Sequence, residues 1–355
     1  MGFLEWLLEP FTDLGREEEE LPKDDYKEKE IIWPEGTVFA PLEDCIIKDD
    51  ELNFLNDEKN KGLFRPENFN EYIGQEKAKD ILGDYIRGIT QRKLVFPHTL
   101  IHGSAGMGKT TLAYIIAHQL KVKLVETITS DIIDFKDLKN NINTCEGGIL
   151  FLDEIHSITR ETAEKMYTIM EDFKYKGESI QSFTLMGATT ELGEIIKNRK
   201  PFYDRFKIII ELEEYNIKEL VRILKQYKDN MFVSDKIHGR IFRCVALNCR
   251  GTPRTGIRLL EATIYANTDI KKVLKNFSII KYGYTNKDLK LLEYMKKNNH
   301  PIGLQSIAAY LGTSQYNYLY EIEPYLLSNG IITRTSRGRK ISEDGIELIK
   351  HLRRK

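Results

Sequence analysis

The chain has 355 residues, enough for two or three domains that each bury a core. Its 41% apolar and 30% charged content is that of an ordinary soluble protein, and no apolar run is long enough to span a bilayer. The formal net charge of −1 hides an asymmetry: residues 1–60 hold 19 acidic against 6 basic side chains, and the remainder holds 47 basic against 35 acidic. A basic body of this kind suits a polyanionic partner. The apolar start MGFLEWLLEP lacks the basic opening and small-residue cleavage site of a secretion signal, so the expected compartment is the cytoplasm. Cys45, Cys145, Cys244 and Cys249 form no CxxC pair and have no histidines at zinc-ligand spacing, which predicts reduced, mostly buried thiols.

Residues 1–60 read as an acidic, partly disordered extension. Phe3, Leu4, Leu7, Leu8, Phe11 and Leu14 share one face of a short helix, and a Glu17–Glu20 run and a stretch rich in Asp, Glu and Lys follow. A docking peptide for a partner, or an arm folded over the basic body, is the alternative to a solvated tail. From Phe64 onward, strand-length apolar runs alternate with helix-period segments. The strands fall at 98–102, 123–127, 149–152, 183–188 and 207–212, and helices at 109–120, 159–173 and 217–229. Alternation of this kind predicts a parallel sheet covered by helices. The boundaries read as a large ATPase domain over 61–213, a helical lid over 214–280 and a third domain over 281–355.

Gly103-Ser104-Ala105-Gly106-Met107-Gly108-Lys109-Thr110 matches GxxxxGK[ST] between a strand and a helix. Its glycines let backbone amides turn around phosphate oxygens, and the helix presents its positive end to them. Lys109 supplies a cation for the β- and γ-phosphates, and the Thr110 hydroxyl suits Mg²⁺. About forty residues later, the strand Ile149–Leu152 delivers Asp153 and Glu154 to the sheet edge where such folds bind ligands. Asp153 suits the Mg²⁺ shell and Glu154 an attacking water, although an Asp–Glu pair after a strand also caps helices. Phe183–Thr190 is a further apolar strand ending in hydroxyls. Taken together these residues predict an ATP-binding and ATP-hydrolysing enzyme.

Beyond these motifs the chain resembles the RuvB family of Holliday-junction branch-migration motors, within the AAA+ class. The matching segments are Arg65-Pro66, Tyr72–Glu76, the phosphate loop, LFLDEIH (150–156), MEDF (170–173), FTLMGATT (183–190), DRF (204–206), RGTPR (250–254) and EPYLLSNGIITRTSRGR (323–339). They cover roughly residues 64–340 in the family's order. The resemblance implies an AAA+ parallel-sheet domain, a small helical lid and a C-terminal winged helix, working as a hexameric ring on duplex or junction DNA. It implies that Arg65, Ile73 and Tyr215 line the adenine pocket and that Gly106, Lys109, Thr110 and Thr111 hold phosphates and Mg²⁺. Glu171, Asp172 and Phe173 match a further nucleotide-contacting segment. Thr190 corresponds to sensor 1, Arg254 to sensor 2, and Arg205 to an arginine finger acting on a neighbour's ATP. In the winged helix, Arg334 and Arg339, with Arg337 between them, correspond to DNA contacts.

Three departures qualify the match. The family carries a long hairpin between MEDF and sensor 1 that docks a RuvA partner, and here only Lys174–Ser182 fill that space, which argues against a RuvA-type partner. Tyr203 stands where the family has a second arginine two residues before the finger. The acidic extension has no counterpart. The short hairpin and the extension leave open an alternative function, an ATP-dependent loader or assembly switch for a replication or recombination complex without helicase activity.

Overall fold

The structure is a computed structural model that describes the strands Ile31–Trp33 and Thr37–Phe39 and residues 64–132, 135–232, 236–298 and 300–353. The two short strands, β1 (Ile31–Trp33) and β2 (Thr37–Phe39), pair antiparallel. The apolar face over Phe3–Leu14, the Glu17–Glu20 run, Cys45 and the docking role considered for residues 1–60 lie outside the described residues. Contacts divide the chain into two compact units, one of residues 57–236 and 251–260 and the other of residues 1–56, 237–250 and 261–355.

The first unit is built on five strands: β3 (Thr99–His102), β4 (Leu124–Ile128), β5 (Ile149–Asp153), β8 (Thr184–Thr189) and β9 (Ile208–Glu211). They run in the order β4-β5-β8-β3-β9, every neighbouring pair parallel. Burial along each strand explains its place. All six residues of β8 and the first four of β5 are buried, as they must be in strands covered on both faces. The edge strand β9 instead alternates buried and exposed, and β4 has no buried residue. Helices α1 (Glu76–Arg92), α2 (Lys109–Leu120), α3 (Phe135–Thr144) and α4 (Arg160–Asp172) follow the strands' amphipathic logic. Helix α4 is capped by Thr159, whose hydroxyl accepts from the Thr162 N–H, and Leu82, Ile115, Ile116, Met166 and Ile169 are fully buried.

His98, just before β3, ties the sheet to α4. Its Nδ1 accepts from the Leu185 N–H at 2.9 Å, so the opposite nitrogen carries the proton and donates to the Met170 carbonyl at 3.2 Å. Burial pushes its pKa down to about 4, which keeps the ring neutral. Between α4 and β8 the chain forms a minimal hairpin, β6 (Lys174–Tyr175) with β7 (Glu178–Ser179). Its turn places Lys176 and Gly177 at φ of 49° and 84°, the two-residue geometry that matches strand twist. The hairpin rests on α3: Lys139 pairs with Glu178 at 2.8 Å, and the Tyr175 ring lies 4.1 Å from that of Phe135.

The second unit is helical with small antiparallel ribbons, the first of them β10 (Ile279–Lys281) with β11 (Tyr284–Thr285). Helix Asn286–Lys297 starts at a capping box in which Thr285 and Asp288 bond each other's backbone. The buried Asp288 carboxylate also receives Arg250 Nη2, while Arg250 Nε donates to the Gly283 carbonyl. Helices Leu304–Leu311 and Glu323–Ser328, the hairpin β12 (Ile332–Thr335) with β13 (Gly338–Ile341), and the last helix Glu343–Arg353 follow that helix, and helices Gly239–Asn248 and Ile270–Asn276 belong to the same unit. Tyr284, Leu291, Leu292, Ile307, Tyr318, Leu326 and Ile331 form its buried centre. The arrangement, helices followed by a two-stranded wing, is a winged helix. Cys145 and Cys249 are buried and Cys244 partly so, and burial pushes the Cys145 thiol up to about 12 and that of Cys244 to about 11.

Candidate functional site: a phosphate cradle and a basic wing

The parallel register brings three sequence-distant segments to one edge of the sheet. His102 pairs with Thr189, Leu152 with Gly187 and Ile128 with Asp153, so the loop after β3, the acids after β5 and the hydroxyls after β8 emerge side by side. The loop from Gly103 to Gly108 curls there because its glycines take conformations other residues avoid. Gly106 has φ +78°, and a Cβ on it would lie 2.7 Å from Arg254 Cβ; Gly108 has φ +99°, and a Cβ would lie 2.9 Å from the Tyr72 hydroxyl. Larger residues would push the loop away from both neighbours.

Lys109 opens α2 and is 7% exposed. Its ammonium donates to the carbonyls of Gly103 and Ser104 at 2.8 and 3.0 Å, which curl it over the loop while leaving its charge uncancelled. Burial lowers its pKa, against the opposing pull of Glu154 and Asp153. A cavity of about 360 Å³ opens here. Arg65, Ile73, Gly106, Gly108, Lys109, Thr110, Thr111, Asp153, Glu154, Tyr215 and Arg254 all line it. The Tyr215 hydroxyl donates to the Met107 carbonyl at 3.1 Å and lies 3.3 Å from the Tyr72 hydroxyl, which fixes one wall. Arg65 sits over the Tyr114 ring at 4.5 Å.

The acids are set by backbone geometry. Glu154 stands at φ 49°, an uncommon conformation for a residue with a side chain, and its N–H donates to Asp153 Oδ1 at 3.0 Å. Its Oε2 accepts from the Thr190 hydroxyl at 3.4 Å and lies 3.2 Å from His156 Nδ1, which is also 3.1 Å from the Thr189 hydroxyl. Thr190 thus reaches the site through Glu154 and does not line the cavity. Thr110 and Asp153 offer the hard oxygen donors that suit Mg²⁺, and the loop amides and Lys109 suit a polyphosphate.

The remaining residues read from the sequence stand elsewhere. Gly103 contributes its carbonyl to Lys109 and, with φ +146°, the close approach to Leu212. Phe173 packs against the buried His98 and Phe183 rings, and Asp172 accepts from the Lys174 N–H at 3.1 Å. Glu171 Oε2 receives Arg205 Nη2 at 2.8 Å, and Arg205 also lies over the Tyr167 ring. None of these five residues lines the cavity.

In the winged helix, Arg334 and Arg339 both bond the fully buried Glu323 carboxylate. Their contacts run from 2.6 to 3.3 Å. Burial raises the pKa of Glu323 but the bonds from Arg339 and Arg334 outweigh it, and the net shift is downward. The Arg334 side chain is 57% exposed and that of Arg339 is 16% exposed, while Arg337 is exposed in the turn between β12 and β13. Sequence reading gave no role to Glu323, Tyr72 or His156. Glu323 stands eleven and sixteen residues ahead of the two arginines, and only the fold brings these together.

A doubly covered parallel sheet with a phosphate loop, paired acids and a cavity between them, followed by a winged helix, defines an AAA+ P-loop ATPase. Residues 64–212 match the family described as Holliday junction DNA helicase RuvB P-loop domain, and residues 281–350 the RuvB C-terminal winged helix domain. The chain is 35% identical over 329 residues to the Holliday junction branch migration complex subunit RuvB of Prochlorococcus marinus (strain MIT 9515), covering 86% of this chain and 91% of the relative. It is 34% identical over 307 residues to the same subunit of Ureaplasma parvum serovar 3, covering 81% and 96%. Among solved structures, the Thermotoga maritima RuvB Holliday junction branch migration motor superimposes with a TM-score of 0.71 at 34% identity, covering 81% of this chain and 99% of that one. The chain belongs to the RuvB family.

Proposed function

We propose that this chain hydrolyses ATP at the subunit interfaces of a hexameric ring and uses the energy to drive branch migration of junction DNA. The observation that carries the reading is the division of labour around the cavity. Lys109, Glu154 and Arg254 meet in one subunit's pocket, whereas Arg205 stands outside it with its guanidinium on an exposed glutamate. A finger that serves a neighbour must be absent from its own pocket and free to change partners.

In this mechanism Gly106, Gly108 and Lys109 hold the β- and γ-phosphates, with Thr111 beside them, and Tyr215, Arg65 and Ile73 enclose the nucleoside. Mg²⁺, when bound by Thr110 and Asp153, would screen phosphate charge. Glu154 orients the attacking water and takes its proton as the bond from the γ-phosphorus to the bridging oxygen breaks. Thr190 holds Glu154 in place, and Arg254 and the neighbour's Arg205 receive the negative charge that builds on the γ-phosphoryl group and the leaving diphosphate. Arg334, Arg337 and Arg339 contact DNA phosphates, a sequence-independent grip that weakens steeply with salt.

A loader or assembly switch is the second reading, and the shortness of the Lys174–Ser179 hairpin favours it. Incubation of the chain with a synthetic four-way junction and ATP decides between them. ATP-dependent conversion to duplex products supports the motor; ATP-dependent binding without conversion, even with a RuvA-type partner added, supports the switch.

A further inference from the structure

Resting on that DNA reading, we propose that Tyr316 and Tyr320 form a clamp for an unpaired nucleobase. The two side chains stand one helical turn apart on the segment Gln315–Ile322, where Tyr318 and Ile322 turn inward to the core and hold the segment in place. Tyr316 is 73% and Tyr320 61% exposed, far above what an apolar ring in water needs for packing. Their planes are parallel to within 3° and their centroids are 6.4 Å apart.

A second tyrosine pair in the same domain shows what closure looks like. Tyr294 and Tyr310 stack at 3.9 Å, with Lys290 over the Tyr310 ring, and leave no room between them. The Tyr316 and Tyr320 centroids are instead 6.4 Å apart, and both parallel rings stay exposed, so a flat ring can stack against them. Bases stack on aromatic side chains without regard to sequence, because each has a π-face.

Three features favour a nucleobase over an aromatic peptide side chain. Exposed amides at Gln315 and Asn317 flank Tyr316 and can bond base edges. The arginine-bearing wing at Arg334, Arg337 and Arg339 belongs to the same domain and suits the attached phosphates. The segment winds as a π-helix over Tyr318–Ile322, an irregularity that often marks functional sites. Glu321 is the exposed acid of the segment and would disfavour a phosphate beside Tyr320, so the base itself enters the clamp with its backbone turned toward the wing.

The test compares full-length chain and the Tyr316→Ala/Tyr320→Ala double variant on a paired duplex and on the same duplex with a short single-stranded gap. With 2-aminopurine in the gap, emission reports stacking. The clamp predicts a loss of about tenfold or more in affinity for gapped DNA, little change on the paired duplex, and retention of both in the Tyr316→Phe/Tyr320→Phe variant. It also predicts that binding changes 2-aminopurine emission for the unaltered chain and not for the double alanine variant. Equal losses on both DNAs, or no loss on gapped DNA, overturn the clamp. Failure of the unaltered chain to bind either DNA overturns the DNA reading beneath it.

Discussion

The arginine proposed as a finger and the arginines proposed to grip DNA are held in opposite ways. Arg205 rests on Glu171, whose side chain is 62% exposed, so the pair sits at the surface where such bonds are exchanged at little cost. Arg334 and Arg339 share Glu323, whose carboxylate is fully buried and whose bonds reach both guanidinium groups. Breaking that second arrangement would strand a buried charge. A residue that must leave its own subunit for a neighbour's nucleotide needs the first kind of partner. Residues that present a fixed shape to a phosphate backbone need the second.

The largest expected effect separates the finger from the pocket. Arg205→Ala should reduce steady-state ATP hydrolysis by about 10³–10⁵-fold while ATP binding, read by a fluorescent analogue, persists. Persisting hydrolysis would remove Arg205 from the mechanism. Next comes Glu154→Gln, with a loss of about 10²–10⁴-fold and undiminished nucleotide binding. At the wing, Glu323→Ala should destabilise the second unit by about 3–5 kcal/mol in urea melts, whereas Glu171→Ala should cost about 0–1 kcal/mol. Equal costs for the two glutamates would erase the contrast drawn above.

Smaller effects come from pH. His98 has its pKa pushed down to about 4, from an ordinary value near 6.5. Its contribution is therefore complete above about pH 6.5 and is lost as pH falls toward 4, worth about 2 kcal/mol between pH 7 and 5. Melts of the chain over this range should show that decline, and His98→Gln should flatten it. The downward-shifted Glu323 acts lower on the scale. Its contribution is present above the usual carboxylate range and fades only as pH falls below it.

The apolar strands, the phosphate loop and the helix after it were legible because each rests on short-range chemistry. Lys109–Leu120 begins and ends where its sequence says, and β5 and β8 are continuous apolar runs because both faces are covered. The lining of the pocket by Arg65, Ile73, Tyr215 and Arg254 was an expectation from family resemblance alone, since no local pattern links residues so far apart. The Glu323 fork, the Glu171 rest for Arg205 and the Tyr72–Tyr215 contact were invisible for the same reason. Each joins residues that only the packed fold brings within hydrogen-bond distance. The parallel exposed rings of Tyr316 and Tyr320 needed side-chain orientations that composition does not encode.

Mixing two inactive proteins tests the shared site most directly. Arg205→Ala subunits retain an intact pocket, and Glu154→Gln subunits retain an intact finger. The account predicts that combining them restores a fraction of DNA-stimulated ATP hydrolysis, as each Glu154→Gln finger completes a neighbour's pocket. Mixed rings that form, yet remain as inactive as either parent at every ratio, would contradict it.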